Sequence, residues 1–189
     1  SKCAQMLLSG TASGVMGACH EAGMADVKHA LSLDIGGTSA DVAVIRESKP
    51  QYGIGEMIGE FPIYIPTVSV TSIGEGGGSI AWVDPQGVLK VGPESAGAEP
   101  GPACYGTGNQ ITVTAANLVL GRLLPDQFLG GRLTLDRDRV QDLMADMAEQ
   151  INSSVNDAAL GVIRVVNSNM ERAIRTISLE RGYDPRHFT

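Results

Sequence analysis

The sequence predicts an α/β protein in which helices flank a mixed sheet. Two short runs, at residues 30–35 and 42–45, are apolar on both faces, as in strands buried in the middle of a sheet. Three stretches in the second half of the chain carry apolar residues at helical spacing. We therefore expect the two strands to form the centre of the sheet, with a long helix at residues 156–181 packed on one face.

Composition indicates a folded protein whose partners do not include nucleic acid or an anionic membrane surface. Of the 189 residues, 43% are hydrophobic and 19% are charged, which is typical of globular domains. The formal net charge is −7, and no basic cluster is present. No membrane span or leader is expected. The three cysteines are widely spaced, which favours reduced thiols in a cytoplasmic protein over a disulfide framework or a zinc site.

A glycine turn closed by two aspartates is the main candidate for a binding site. Gly36, Gly37 and Thr38 lie between the two predicted strands, and such a turn is expected to use glycine's freedom at positive φ. Their successive N–H groups are expected to line a small concavity for an anion. Asp34 and Asp41 stand at its rim, where carboxylates are suited to hold a divalent cation directly or through water.

The common nucleotide-binding motifs do not fit this turn. A P-loop and a dinucleotide-binding fingerprint both open a helix, whereas here a strand follows and no lysine is near. An ordinary tight hairpin is the alternative interpretation, because Gly-Gly is a common hairpin turn.

Residues 9–22 are predicted to form a helix rich in small residues. Apolar side chains recur at helical spacing, and Gly23 is expected to end the helix. Gly14 and Gly17 each cost about 1 kcal/mol inside a helix. They therefore predict either close packing on another backbone or an approach to a ligand.

A second glycine loop follows the next predicted strand. Residues 47–66 form a polar, glycine-rich connection, and residues 68–73 alternate as a strand does. This strand leads into Gly76, Gly77 and Gly78. Because α/β folds bind ligands where loops converge at a sheet edge, the two glycine loops are expected to meet at one edge.

The rest of the chain predicts a hairpin, an ordered loop and helices. Residues 92–109 form a long loop without periodicity, of the kind that is usually functional or disordered, and its small apolar residues favour an ordered loop against a partner surface. Cys104 in this loop is either a nucleophile or an inert thiol, and no histidine lies near it in sequence to activate it. The hairpin strands are expected at residues 80–83 and 88–91, and the helices at residues 115–124, 136–151 and 156–181, the last ended by Gly182.

These motifs together resemble the hydantoinase A/oxoprolinase family, within the actin, sugar kinase and Hsp70 ATPase superfamily. The most specific segment is the run Ser-Ala-Gly-Ala-Glu-Pro-Gly-Pro-Ala-Cys-Tyr-Gly at residues 95–106. The resemblance implies a ribonuclease H-like ATPase lobe, the second half of an actin/Hsp70-like fold. It is carried further by residues 34–44, 73–84, 91–94, 117–124, 128–131 and 184–186.

The resemblance implies an ATP-dependent hydrolase that opens a cyclic amide such as hydantoin, N-methylhydantoin or 5-oxoproline. ATP would phosphorylate the amide oxygen, and water or a partner site would then complete the opening. The turn at residues 36–38 would hold the β- and γ-phosphates. Asp34 and Asp41 would be the catalytic carboxylates and would lie near Mg²⁺ or Mn²⁺. The loop at residues 76–78 would let the backbone approach the nucleotide.

An alternative is an ATP-binding switch, or a subunit similar to those of acetone and acetophenone carboxylases, without ring-opening activity of its own. Two departures from the family pattern bear on this choice. Thr11 and Ser13 stand where the family has proline and glycine, and Ala115 stands where it has aspartate.

The family chain is several times longer than this one. Residues 1–189 are therefore expected to be a single-domain fragment, the middle domain of such a chain, with residues 92–155 as a candidate inserted lobe. Its partners would be the cyclic amide, the remaining lobes of the same chain and a hydantoinase B-type subunit. Because the resemblance implies that three segments share the nucleotide, the isolated fragment is expected to be inactive.

Overall fold

The computed structural model describes residues 9–53, 56–58, 61–63 and 67–189. The helices are α1 (Ser9–Met24), α2 (Val113–Val119), α3 (Arg137–Gln150) and α4 (Val155–Glu180). The strands are β1 (His29–Ile35), β2 (Ala40–Arg46), β3 (Lys49–Pro50), β4 (Tyr52–Gly53), β5 (Glu56–Ile58), β6 (Phe61–Ile63), β7 (Thr67–Val68), β8 (Val70–Ile73), β9 (Ser79–Val83) and β10 (Leu89–Ser95). The chain divides into two compact units, the first being residues 1–34, 40–73 and 173–189 and the second residues 35–39 and 74–172.

In the first unit, β2 is the central strand of an antiparallel sheet. It pairs with β1 and, along successive halves, with β8 and β3. The apolar residues of β2 are buried, as predicted, whereas the last three residues of β1 are exposed. Every strand pair whose register the structure describes is antiparallel, so the expectation of a mixed sheet is wrong for these strands.

α1 covers one face of this sheet. Val15 and Cys19 pack on Ala43 and Ile45 in one buried cluster. The spacing of four residues on the helix and two on the strand places each pair on one face of its element. Val15 and Cys19, two of the apolar positions of the predicted first helix, therefore form its packing stripe, whereas Met16 is 49% exposed.

The glycines of α1 do not mediate close packing among the described residues. A Cβ built at Gly17 would meet no described atom within 4 Å, and one at Gly14 would meet only a carboxylate oxygen of Asp34, at 3.6 Å. The prediction that these glycines let another backbone approach is therefore wrong for the described part of the chain.

α1 ends at Met24, so Gly23 lies inside the helix and not beyond its end as predicted. Asp26 adopts the left-handed conformation with φ 54°. Its N–H donates to the carbonyl oxygen of Gly23 at 3.3 Å, and the N–H of Val27 donates to that of Ala22 at 2.8 Å. This pair of bonds is a Schellman cap, which satisfies carbonyl groups that the helix end leaves open.

The last turns of α4 cover the opposite face of the first unit's sheet. Ile177 packs on Val42 and Ile73. Because side chains alternate along a strand, Val42 lies on the face opposite to that covered by α1. This contact confirms the expected packing of the long helix on one face. Gly182, with φ 76°, ends the helix as predicted.

The segment at residues 47–66 is more ordered than the predicted connection, in the part of it that the structure describes. β4 pairs with β7 at Tyr52↔Val68, and β5 pairs with β6 at Met57↔Pro62. Both pairs are short antiparallel ladders.

In the second unit, β9 and β10 form the predicted hairpin, and helix caps set the starts of two helices. β10 continues to Ser95, beyond the predicted end. The side chain of Thr112 accepts a hydrogen bond from the N–H of Ala115, so α2 starts two residues earlier than expected and ends at Val119. Asp136 caps α3 in the same way by accepting from the N–H of Arg139.

The long loop at residues 92–109 belongs to the core of the second unit. Pro102, Ala103 and Cys104 are all buried, and the last two have 0% exposure. A Cβ at Gly108 would lie 1.8 Å from the carbonyl oxygen of Gly101, so only glycine fits this crossing of the backbone. The prediction that the loop is ordered is confirmed, and its buried residues pack within the second unit.

None of the helices in the described segments has both the length and the apolar character needed to cross a bilayer.

Candidate functional site

The two glycine loops predicted to meet are joined by backbone hydrogen bonds within the second unit. The N–H of Gly77 donates to the carbonyl oxygen of Gly36 at 2.9 Å, and the N–H of Gly78 donates to that of Gly37 at 2.6 Å. The predicted proximity of the loops is therefore confirmed.

The second loop requires glycine because the first loop lies against it. A Cβ at Gly76 would stand 2.8 Å from the carbonyl oxygens of both Gly36 and Gly37, and a Cβ at Gly78 would stand 2.8 Å from that of Gly37. Gly36 and Gly37 themselves do not have positive φ, contrary to the prediction for this turn. Close approach of two backbones, and not turn conformation, thus explains the glycines of the second loop.

Hydrogen bonding within the protein reduces the set of N–H groups available to an anion. The N–H of Gly36 donates to the carbonyl oxygen of Ser39 at 2.8 Å, so this residue does not contribute to the predicted concavity. For the N–H groups of Gly37 and Thr38, the described residues provide no hydrogen-bond acceptor. Both residues are exposed. The candidate anion donors in this turn are therefore two, where three were predicted.

Thr114 fixes the second loop and was not anticipated from the sequence. Both its N–H and its Oγ1 donate to the carbonyl oxygen of Gly77, each at 2.8 Å. Thr114 lies in the first turn of α2, so the helix holds the glycine loop through one residue. Ala115, the departure from the family pattern, is the next residue and is fully buried.

In the first unit, Asp34 and Asp41 lie on the face of the sheet that α1 covers. Asp41 alternates with Ala43 along β2, and Ala43 packs on α1. For Asp34, a Cβ built at Gly14 of α1 would lie 3.6 Å from its Oδ2, which gives the same assignment. The side chain of Asp34 is exposed, while Asp41 is half-buried.

The carboxylate of Asp41 accepts two hydroxyl hydrogen bonds. Ser72 of β8 donates through Oγ to Oδ1 at 2.5 Å, and Thr11 of α1 donates through Oγ1 to Oδ2 at 3.2 Å. Each oxygen of an ionised carboxylate has two lone-pair positions, so both oxygens retain acceptor capacity.

The fit of these residues to a divalent cation rests on the two carboxylates. Carboxylate oxygens, completed by water, are the ligands that Mg²⁺ and Mn²⁺ prefer. In the described segments, no group of three or more His, Cys, Asp or Glu side chains is arranged to hold a metal. Protein ligands beyond Asp34 and Asp41 are therefore not assigned.

A buried carboxylate at Glu75 precedes the second glycine loop. Its Oε1 accepts from the amide Nδ2 of Asn169 at 2.8 Å, while Oε2 is buried without a hydrogen-bond partner among the described residues. Burial raises the pKa of Glu75, against the opposing effect of its hydrogen bonds. Burial of Glu75 was not predictable from the sequence, because a glutamate beside glycines usually lies in solvent.

Cys104 is inert in this environment. It is fully buried, and burial raises the pKa of its thiol to about 11. Only the thiolate is an effective nucleophile, so the geometry supports the inert-thiol alternative over the nucleophile.

Comparison with known proteins identifies relatives along the whole chain. Residues 1–189 match the hydantoinase/oxoprolinase family. Subunit alpha of the caprolactamase from Pseudomonas jessenii is 43% identical over 164 residues, which cover 86% of this chain and 24% of that subunit. The 5-oxoprolinase PfmaA of Pestalotiopsis fici is 39% identical over 198 residues, which cover 96% of this chain and 15% of that protein.

Two solved structures are similar in fold. The crystal structure of the ATP-dependent caprolactamase from Pseudomonas jessenii has a TM-score of 0.79 at 41% identity, over 94% of this chain and 26% of that one. A nucleotide-free structure of acetone carboxylase, from work on ATP-dependent acetone carboxylation, has a TM-score of 0.78 at 35% identity, over 93% of this chain and 25% of that one. This chain spans about a quarter of both solved chains. It is a member of the hydantoinase/oxoprolinase family.

Proposed function

We propose that this chain is the phosphate-binding middle segment of an ATP-dependent hydrolase that opens a cyclic amide such as hydantoin, N-methylhydantoin or 5-oxoproline. The observation that carries the proposal is the pair of hydrogen-bonded glycine loops, with the N–H groups of Gly37 and Thr38 at an exposed turn. Adjacent N–H groups of this kind suit a phosphate oxygen. The similarity to an ATP-dependent caprolactamase and to a 5-oxoprolinase supports the same activity.

The residues divide into three roles in this proposal. Gly37 and Thr38 bind phosphate oxygens through their N–H groups. Gly36 and the loop at Gly76, Gly77 and Gly78 maintain the shape of that turn. Asp34 and Asp41 hold Mg²⁺ or Mn²⁺. ATP, when bound, would supply the phosphoryl group that activates the amide oxygen, and positioning with charge neutralisation is most of what such a transfer needs from a protein.

The proposal includes the architecture of the longer protein. The chain would be a fragment with the ribonuclease H-like topology of the second half of an actin/Hsp70-like lobe. Its partners would be the remaining lobes and a hydantoinase B-type subunit, in agreement with the subunit composition in the name of the caprolactamase relative. A cytoplasmic location would agree with the free thiols of Cys19 and Cys104.

A second candidate is an ATP-binding switch or carboxylase-type subunit that opens no ring. The likeness to acetone carboxylase favours it about as strongly as the likeness to caprolactamase favours the first. Ala115, which replaces a carboxylate of the family pattern, also favours the second candidate.

The test is phosphate release by the full-length protein, purified with any subunit that copurifies. Reactions would contain MgATP with hydantoin, N-methylhydantoin, 5-oxoproline or caprolactam, and parallel reactions would contain acetone or acetophenone with bicarbonate. Release that depends on a cyclic amide and yields the ring-opened product supports the first candidate. Release only with ketone and bicarbonate, or without any substrate, supports the second. Asp41→Asn is the control for contaminating ATPases, because it should abolish release in either case.

A further inference from the structure

The carboxylate of Asp41 is held by hydroxyl groups from two different elements of the first unit. Ser72 lies on β8 and Thr11 in the first turns of α1, and each hydroxyl donates to a different carboxylate oxygen. Two donors on two oxygens fix the plane of the carboxylate as well as its position, because rotation about either side-chain torsion would break one bond.

The fold dictates this arrangement. Asp41 and Ser72 are direct partners in the antiparallel register of β2 and β8, so their side chains lie side by side on the same face. Thr11 continues the stripe of Val15 and Cys19 at intervals of four residues, which directs it toward that face as well. The helix that packs on the sheet through its apolar residues therefore delivers one hydroxyl to the carboxylate.

We propose that Thr11 and Ser72 are positioning residues that orient the Asp41 carboxylate toward a divalent cation. The inference rests on the proposed function, since it assumes that Asp41 is a metal ligand. Each hydroxyl uses one lone-pair position of its carboxylate oxygen, so both oxygens keep a position that can bind a cation. A carboxylate fixed in this way needs no reorientation when the metal binds, so metal affinity should depend on hydroxyls that never touch the metal.

A purely structural role makes a different prediction. In that case, the two hydrogen bonds tie α1 to the sheet, and their loss lowers thermal stability while metal affinity stays the same. Thr71 provides a matched control, because it precedes Ser72 on β8 and faces the other side of the sheet. There its Oγ1 accepts a hydrogen bond from Nη2 of Arg181 at 2.9 Å. Thr71→Val therefore removes a hydroxyl from the same strand without touching Asp41.

The experiment measures Mn²⁺ binding to the full-length protein by electron paramagnetic resonance, with a non-hydrolysable ATP analogue present. The variants are Thr11→Val, Thr11→Ser, Ser72→Ala, Thr71→Val and Asp41→Asn. The thermal unfolding midpoint of each variant is measured as well, so that Mn²⁺ binding is compared at a temperature at which every variant is folded. We expect Thr11→Val and Ser72→Ala to weaken Mn²⁺ binding about tenfold, at the lower end of the range found when groups that orient a metal ligand are removed. Thr11→Ser should keep the affinity of the parent protein, and Thr71→Val should lower the midpoint alone.

The outcomes separate this inference from the proposed function. If Asp41→Asn weakens Mn²⁺ binding and Thr11→Val and Ser72→Ala do not, the positioning role is wrong and the metal role stands. If Thr71→Val weakens binding as much as Ser72→Ala, the effect is general loosening of the sheet, and the positioning role is again wrong. If Asp41→Asn has no effect, the metal assignment of the proposed function fails, and this inference fails with it.

Discussion

The N–H of Gly77 donates a hydrogen bond of 2.9 Å to the carbonyl oxygen of Gly36. Together with the neighbouring bond from Gly78 to Gly37, it joins two glycine loops that are far apart in the chain. The second loop acts as a support for the first, because its N–H groups are directed to the carbonyl oxygens of the turn. The exposed N–H groups of Gly37 and Thr38 are thereby kept in a fixed geometry.

Gly76→Ala should destabilise the second unit by about 1–3 kcal/mol, the usual range for an overpacked site. The added Cβ would stand 2.8 Å from two backbone carbonyl oxygens, which cannot move as a flexible side chain can. Gly74→Ala is the matched control, since a Cβ there meets no described atom within 4 Å. Urea unfolding followed by fluorescence of Trp82, the single tryptophan, measures both changes. Equal stabilities of the two variants would contradict the close approach of the loops.

Asp34→Asn should lower turnover of the full-length protein at least tenfold, or about 1.4 kcal/mol of barrier. The substitution keeps the shape of the side chain and removes the charge that would hold the cation. Asp26→Asn is the control, because Asp26 is exposed at the end of α1 and asparagine also adopts its left-handed conformation well. Steady-state assays at saturating ATP and magnesium measure the turnover of both variants. Unchanged turnover in Asp34→Asn would leave this aspartate with a structural role.

Cys104 should make folding stability fall between about pH 9 and pH 11. Burial raises the pKa of the folded thiol from 9.0 to about 11, so the unfolded chain loses its proton first as the pH rises. The protonated thiol of Cys104 makes its full contribution to folding stability below pH 9. This contribution is lost as the pH rises through 11, and it amounts to at most about 2–3 kcal/mol. Urea unfolding at a series of pH values should show a smaller decline for Cys104→Ala. A decline of the same size in the variant would show that other groups cause it.

The 189-residue chain alone should neither hydrolyse ATP nor bind it tightly. Micromolar affinity corresponds to about −8 kcal/mol and millimolar affinity to about −4. In the proposed function, two of the three segments that share the nucleotide lie outside this chain, and the net charge of −7 repels a polyanion. Calorimetric titration with MgATP should therefore show no saturable site below the millimolar range. A clean micromolar isotherm would contradict the proposed division of the nucleotide site among segments.

Hydrophobic periodicity predicted the main elements of the fold, and local hydrogen bonds decided where they end. The stripe of Val15 and Cys19 and the run of β2 were visible in the sequence, because burial imposes period and composition. The end of α1 was misplaced at Gly23, since Asp26 can also adopt the left-handed conformation when a Schellman cap stabilises it. The exposure of the end of β1 was missed because an apolar strand pattern does not reveal which strand is central.

The meeting of the two glycine loops was predictable from the sequence, and the hydrogen bonds of these loops were not. The positions of the glycines, each group following a predicted strand, were enough to predict that the two loops meet. Backbone hydrogen bonds, such as that from the N–H of Gly36 to the carbonyl oxygen of Ser39, decide which N–H groups remain available to an anion. The sequence pattern does not reveal these bonds. The contacts of Thr11 and Ser72 with Asp41 likewise join residues far apart in the chain, through a register and a helix orientation that arise only on folding.

Hydrogen–deuterium exchange should distinguish the amides of the second glycine loop, which are bonded to carbonyl oxygens, from those of Gly37 and Thr38 in the first loop. Gly77 and Gly78 lie outside regular secondary structure, yet their amide protons should exchange slowly, because each is bonded to a backbone carbonyl oxygen. The amides of Gly37 and Thr38, on the partner loop, should exchange rapidly. A phosphate oxygen that binds these two amides would slow their exchange alone. Two neighbouring amide signals in the full-length protein would thus report occupancy of the turn without any assay of catalysis.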